Sequence, residues 1–250
     1  MKWGATAVAF LVVLVAVVGP LFGDAPNATV GAPFGHSGPL GTDVLGRDVL
    51  ARVLHGGLAV VGLAAGATLV TVIVGAGVGM LLGLAGDRLS ELTTRVIDLV
   101  LVFPPLLVML VLAAGFPGSD LAVMVAVALT TVPFSVRVVR AATQKVAATG
   151  YLRIARARGD SVTQLIRYDV LPNVRGVVLA DTGLRFVTAV YLTSTAGFLG
   201  LGRGAPAANW GRMVSENLPG ITLSPWPVLA PALLLVAFGV SVNLLLGGSR

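Results

Sequence analysis

Asp181 and Arg185 stand four residues apart inside an otherwise apolar stretch, a spacing that puts both on one face of a helix. Ionisable side chains at membrane depth normally face a bundle interior or a water-filled cavity. The pair therefore has two readings, a polar patch on a translocation path or a structural pair that neutralises itself. Asp98, with Arg95 beside it, is expected near the membrane interface. The tract 43–48, with Asp43, Arg47 and Asp48, could form an ion site, but acids and arginines this close more often make helix caps and local salt bridges. His36 and His55 are the only histidines. Two scattered histidines without a cysteine make a thin metal site, so both are expected to be structural. Gly200, Gly202 and Gly204 read as turn chemistry.

The groups that covalent chemistry needs are missing. There is no cysteine, which removes thiolate ligands and thiol nucleophiles. Lys2 and Lys145 are the only lysines, and neither closes a Gly-x4-Gly-Lys-Ser/Thr phosphate loop. No Gly-x-Ser-x-Gly elbow or His-Glu-x-x-His pair occurs. The chain is expected to hold no catalytic residue, cofactor or metal.

A different kind of chemistry, recognition of a partner, is carried by the stretch from Tyr151 to Asn173. Through Arg158 it favours a helix with Tyr151, Ile154 and Ala155 on one side, and Gly159 is a natural stop. Ser161 and Gln164 have the spacing of a capping box for a second helix. Val162, Leu165 and Ile166 give that helix an apolar face. Leu171 and Pro172 close the stretch, and proline suits the first turn of a following helix. Two short amphipathic helices need cover for their apolar faces, either anionic lipid or a soluble protein that docks there. The order helix, glycine, helix, Leu-Pro favours docking.

Composition decides what must position these residues. Of 250 residues, 56% are hydrophobic and 11% charged, and the mean hydropathy is +0.94. Soluble domains carry about 25% charged residues, so this is an integral membrane protein. Six spans of roughly 20 residues are predicted, at about 4–22, 58–85, 96–115, 121–139, 174–196 and 226–246. The first resembles a signal peptide, with Lys2, an apolar run and Pro20, but is long for one and is expected to remain as an anchor. With both termini inside, the inner loops hold Lys2, Arg88, Arg95, Arg250 and the basic run from Arg137 to Arg175. Only Arg47, Arg52, Arg203 and Arg212 fall outside, which sets the orientation. The net charge of +6 is thereby explained by topology, and nucleic-acid binding is not expected. Two outer segments, about 23–57 and 197–225, exceed what connectors need. In the first, Val49, Leu50, Val53 and Leu54 predict a short interfacial helix. Gly75, Gly79 and Gly83 on the second span, and Gly62 with Gly66, predict close helix packing.

Gly159, nine residues, then Asp169-Val170-Leu171-Pro172 resembles the coupling-loop signature of ABC importer permeases. Arg153-Ile154-Ala155 stands where Glu-Ala-Ala is typical, and Asp169 replaces an aliphatic residue. Further stretches are similar to the C-type permease of dipeptide and oligopeptide importers of the peptide/nickel family. They are Leu40-Gly41-Thr42-Asp43-Val44-Leu45-Gly46-Arg47-Asp48, Arg95-Val96-Ile97-Asp98, Phe103-Pro104, Phe198-Leu199-Gly200-Leu201-Gly202 and Trp210-Gly211-Arg212-Met213. The similarity runs from about residue 36 to 226. The weakly charged ends, including Gly247-Gly248-Ser249-Arg250, depart from it.

The resemblance implies an all-α fold of six transmembrane helices, the type I ABC importer permease fold, in one domain spanning 1–250 with a cytoplasmic coupling loop at about 140–173. It implies a multi-pass protein of the bacterial cytoplasmic membrane that moves dipeptides or short oligopeptides by alternating access. The implied partners are a second, homologous permease, two ATPase subunits or one fused, an extracytoplasmic binding protein and membrane lipid, with ATP and Mg on the ATPases. The outer residues Phe198, Gly200, Trp210 and Met213 become candidates for contact with the binding protein. The same subunit type serves nickel and other small solutes. Outside this class stand an ATP-independent channel or secondary transporter and, third, a membrane-embedded enzyme, for which no constellation is visible.

Overall fold

Apolar runs bounded by capping residues fold into long helices in the computed structural model, which describes residues 2–204 and 206–247. Arg250, counted above, lies outside the described residues. Helix α1 (Lys2–Val18) ends in a tight turn, Gly19–Leu21, at Pro20. Helix α2 (Val49–Leu84) starts where the Asp48 carboxylate accepts from the amides of Leu50 and Ala51, at 2.7 and 3.3 Å. Its 36 residues reach about 54 Å at 1.5 Å per residue, far beyond a hydrocarbon core of about 30 Å. The interfacial helix predicted at its start is not a separate element. Val49 and Val53 belong to the first turns of α2 and are buried with Arg52, so protein rather than lipid covers that face.

The third predicted span is broken. Helix α3 (Asp87–Leu101) gives way at Phe103-Pro104 to helix α4 (Pro105–Gly115), with a bend of 78° between Leu92–Leu101 and Pro105–Gly115. Consecutive prolines explain it. Pro105 has no N–H for the Leu101 carbonyl, and each proline pushes the residue before it out of the helical region. Helix α5 (Asp120–Ala147) is capped by Ser119, whose hydroxyl accepts from the Ala122 amide. Next come α6 (Gly150–Ala157), α7 (Val162–Gln164), a π-helical stretch (Leu165–Val170), α8 (Leu171–Phe198), α9 (Trp210–Asn217) and α10 (Trp226–Gly247). Among the described residues five helical segments are long and apolar enough to cross a membrane, and the bent pair makes a sixth crossing when counted as one.

Helices α2 and α5 run parallel in close contact, and glycine permits it. A Cβ on Gly75, Gly79 or Gly83 would lie 2.6, 2.9 or 2.5 Å from the Cβ of Ser135, Val139 or Thr143. The second glycine pair behaves unevenly, with Gly66 against Met124 and Gly62 facing open space. Several buried hydroxyls bond within the bundle, as a bilayer demands, while Thr143 Oγ1 is buried without a hydrogen-bond partner among the described residues. Thr71 and Thr131 pair at 2.7 Å, and both reach backbone carbonyls one turn earlier. The main core gathers Val60, Ala64, Val127, Ala189, Trp210 and Phe238. A second, smaller core lies at the other end of the bundle, beneath the Tyr151–Pro172 stretch.

Candidate functional site

Of the two short helices predicted between the fourth and fifth spans, the first forms as a separate element, with a division of faces that the sequence does not display. Leu152 and Ala155 are buried, whereas Tyr151 and Ile154 are exposed. The predicted grouping of Tyr151, Ile154 and Ala155 is therefore corrected. At 100° per residue Ala155 lies nearer Leu152 than Ile154, and the bundle takes that side. Gly159 stops α6 at φ +88°, a conformation that costs an L-residue about 1–2 kcal/mol. Its amide donates to the Arg156 carbonyl, and the Asp160 amide to that of Ala155, at 3.0 and 3.2 Å. The capping box is present: the Ser161 amide donates to Gln164 Oε1 at 2.8 Å, and the Gln164 amide to Ser161 Oγ at 3.4 Å.

The second helix does not stop before the fifth span. Chain direction is continuous from Val162 to Phe198, with π-type winding over Leu165–Val170. Pro172, in the first turn of α8 as predicted, has no N–H for the carbonyl four residues back. Wider winding absorbs this, the Leu171 amide donating to the Ile166 carbonyl. The Asn173 side chain donates to the Asp169 carbonyl at 2.6 Å. Leu165 is buried and Ile166 half-buried, while Val162 and Leu171 are exposed.

The bundle covers half of this loop. Leu152, Ala155, Leu165 and Val170 pack against Met80, Val139 and Val174. Arg156 Nη2 donates to the Leu84 carbonyl at 2.9 Å, tying α6 to the end of α2. What stays free is a mixed face of Tyr151, Arg153, Ile154 and Val162 with Tyr168.

Asp181 and Arg185 meet near the middle of α8, Arg185 Nε donating to Asp181 Oδ1 at 3.1 Å. Both are buried, and the Arg185 guanidinium stands over the Phe134 ring of α5, 5.5 Å from its centroid. Asp181 Oδ2 is buried without a hydrogen-bond partner among the described residues. Asp98 is half exposed and lies 3.6 Å from Arg137, in keeping with an interfacial position.

At the opposite end the two long segments lock together through charge. Asp43 accepts from the amides of Leu45 and Arg47 and from Arg47 Nε, at 2.9, 2.9 and 2.7 Å. Glu216 of α9 lies 3.4 Å from Arg47 and 3.5 Å from Arg52. Asn217 accepts from the Val44 amide at 2.9 Å. Sequence reasoning found the Asp43–Asp48 caps and bridges but missed Glu216 and Asn217; a lone acid in the second outer segment was the available signal. Trp210 and Met213 are corrected as surface candidates. Both are fully buried, and Trp210 Nε1 donates to the Val53 carbonyl at 2.7 Å. Phe198 and Gly200 are exposed, and Gly200 and Gly202 turn the chain at φ +77° and +81°. His55 bonds the Ala51 carbonyl through Nδ1 at 2.8 Å. Among the described residues no three His, Asp or Glu groups gather as a metal site.

Comparison with known proteins adds ancestry to this geometry. Residues 75–248 match the family described as the binding-protein-dependent transport system inner membrane component. Over 245 residues the chain is 30% identical to the dipeptide transport system permease protein DppC of Alkalihalophilus pseudofirmus, covering 95% of this chain and 80% of that one. It is 28% identical over 239 residues to the oligopeptide transport system permease protein OppC of Bacillus subtilis, with coverage of 93% and 78%. A chain from an inward-facing structure of the MetNI methionine ABC transporter superimposes with a TM-score of 0.62 at 17% identity, over 81% of this chain and 96% of that one.

Proposed function

Because the chain belongs to the family of binding-protein-dependent transport system inner membrane components, we propose that it carries dipeptides or short oligopeptides into the cell, driven by ATP hydrolysis on separate subunits. The chain is an ABC importer permease, a multi-pass protein of the cytoplasmic membrane. The peptide assignment is supported by its likeness to permeases named for dipeptide and oligopeptide transport. The working assembly pairs this subunit with a second, related permease, two ATPase subunits or one fused, and a binding protein that delivers substrate from outside. The Tyr151–Pro172 loop faces the cytoplasm, where it docks on an ATPase.

The observation that carries the mechanism is the unbroken helical path from Val162 to Phe198. Its first turns belong to the docking loop, its middle holds the Asp181–Arg185 pair, and its far end reaches the outer segments. A helix transmits displacement along its axis, so a pull on the loop shifts the middle and far end together. ATPase closure thereby switches the bundle from inward-open to outward-open, and substrate enters from the binding protein. Asp181 and Arg185 border the path and meet the charged ends of the peptide, while exposed Phe198 and Gly200 contact the binding protein.

The test is purification of the tagged subunit from native membranes in mild detergent, followed by reconstitution into liposomes. A fixed ratio of second permease and ATPase, with ATP-dependent uptake of labelled dipeptide, is expected. Recovery as a lone homo-oligomer, with uptake indifferent to ATP, would overturn the proposal in favour of a channel or secondary transporter.

A further inference from the structure

The docking loop holds four arginines, Arg153, Arg156, Arg158 and Arg167, against two aspartates, Asp160 and Asp169. Two of the arginines are engaged internally: Arg156 caps α2, and Arg158 pairs with Asp160 at 3.0 Å. The other two are not matched by a carboxylate among the described residues. Arg153 reaches the Ala148 carbonyl at 2.9 Å, and Arg167 lies against the ring of Tyr168, 5.7 Å from its centroid. Both arginines are exposed, and each sits beside an exposed apolar side chain, Ile154 or Tyr168.

Position distinguishes a protein from lipid as the partner. The loop lies across the end of the bundle, in contact with α2, α5 and α8, with Leu152, Leu165 and Val170 turned into the core there. Anionic lipid surrounds a bundle at its perimeter, whereas a soluble subunit covers its end. We infer that the ATPase cleft receiving this loop is acidic, with one carboxylate for Arg153 and another for Arg167 around an apolar floor for Ile154 and Val162. This rests on the docking reading above and adds the chemistry of the partner. Arginine suits the task, because its planar fork binds a carboxylate through two parallel hydrogen bonds. The consequence is partner choice, since like charges facing each other across an interface strongly disfavour it.

The experiment uses the assembled complex with its ATPase subunits in lipid nanodiscs. Arg153→Lys and Arg167→Lys keep the charge and supply a primary amine, which a carbodiimide joins directly to a nearby carboxylate. Amide cross-links from positions 153 and 167 to Asp or Glu of the ATPase, located by mass spectrometry, are expected. The double variant Arg153→Glu/Arg167→Glu should weaken retention of the ATPase at least about tenfold. Val162→Cys, joined to the ATPase by a bifunctional maleimide, reports docking independently of charge. Docking by that measure, with no amide cross-links and wild-type retention in the charge-reversed variant, would overturn the acidic cleft and leave the permease reading intact. Absence of the maleimide cross-link as well would overturn the docking reading itself. A fluorophore on Ile154→Cys that responds to phosphatidylglycerol content and not to the ATPase would assign the face to lipid and also overturn the inference.

Discussion

Arg156 of the Tyr151–Pro172 loop donates a 2.9 Å hydrogen bond to the carbonyl of Leu84, the last residue of α2. A cation at a helix C-terminus contributes about 0.3–1 kcal/mol at an exposed site, too little to decide whether the bundle folds but enough to hold the loop in place. Arg156→Ala should leave the melting temperature nearly unchanged in detergent, while hydrogen exchange in residues 150–157 accelerates and uptake per ATP hydrolysed falls. Unchanged exchange would remove the tether.

Val162 and Leu165 share an apolar face by sequence but not in the structure, where only Leu165 is buried. Val162→Asp should therefore abolish uptake at normal membrane levels of the subunit. Leu165→Asp should lower those levels, because it places a charge in the cluster with Leu152 and Val170. Quantitative immunoblotting alongside uptake separates the two. Normal transport by Val162→Asp would count against docking through this face.

The Asp181–Arg185 pair is buried, so removal of one partner costs more than removal of both. Breaking a buried ion pair typically costs about 3–5 kcal/mol, whereas replacing both charges is often near neutral. Arg185→Met should destabilise the subunit strongly, and Asp181→Asn/Arg185→Met should recover most of that loss in a thermal melt. If uptake returns with stability, the pair is structural. If stability returns and uptake does not, it acts on the translocation path.

Gly79 faces the α5 backbone so closely that a Cβ would lie 3.0 Å from the Val136 carbonyl and 3.1 Å from the Arg140 amide, while Gly77 faces open space. Gly79→Leu should separate α2 from α5 and destabilise by about 1–3 kcal/mol or more, and Gly77→Leu should be near neutral. Equal melting temperatures for the two variants would refute close packing along this track.

Trp210 is the largest fully buried side chain. Trp210→Ala should cost about 3–5 kcal/mol. Trp210→Phe, which keeps much of the packing but loses the bond to the Val53 carbonyl, should cost nearer 1 kcal/mol. Chemical unfolding in detergent measures both.

The apolar runs of α1 and α10 were legible because nothing after Lys2 interrupts their hydropathy, and those of α5 and α8 because their few charges still leave long apolar stretches. The capping box at Ser161 and the stop at Gly159 were legible because they are local chemistry. Partnership was not. Leu152 rather than Ile154 turns inward because of where Met80 and Val139 stand, a tertiary fact that a short stretch does not encode. Pro104 and Pro105 did signal the break between α3 and α4, but a hydropathy window averages over them. Trp210 and Met213 occupy an outer segment in sequence and its interior in space, because α9 folds back onto α2 and α8.

The bend between α3 and α4 has a consequence for solvation. Leu84 lies at the docking-loop end of the bundle and Asp120 at the end where it pairs with Arg203, so residues between them must traverse the full thickness. Neither helix is long enough alone: 11 residues of α4 reach about 16 Å. Irregular backbone around Phe103 and Pro104 therefore sits at a depth where lipid offers no hydrogen bonds, and such backbone is tolerated only against protein or beside water. Val102 and Phe103 are exposed in the isolated subunit. In the proposed assembly that elbow is thus shielded from acyl chains, by a neighbouring helix or by water.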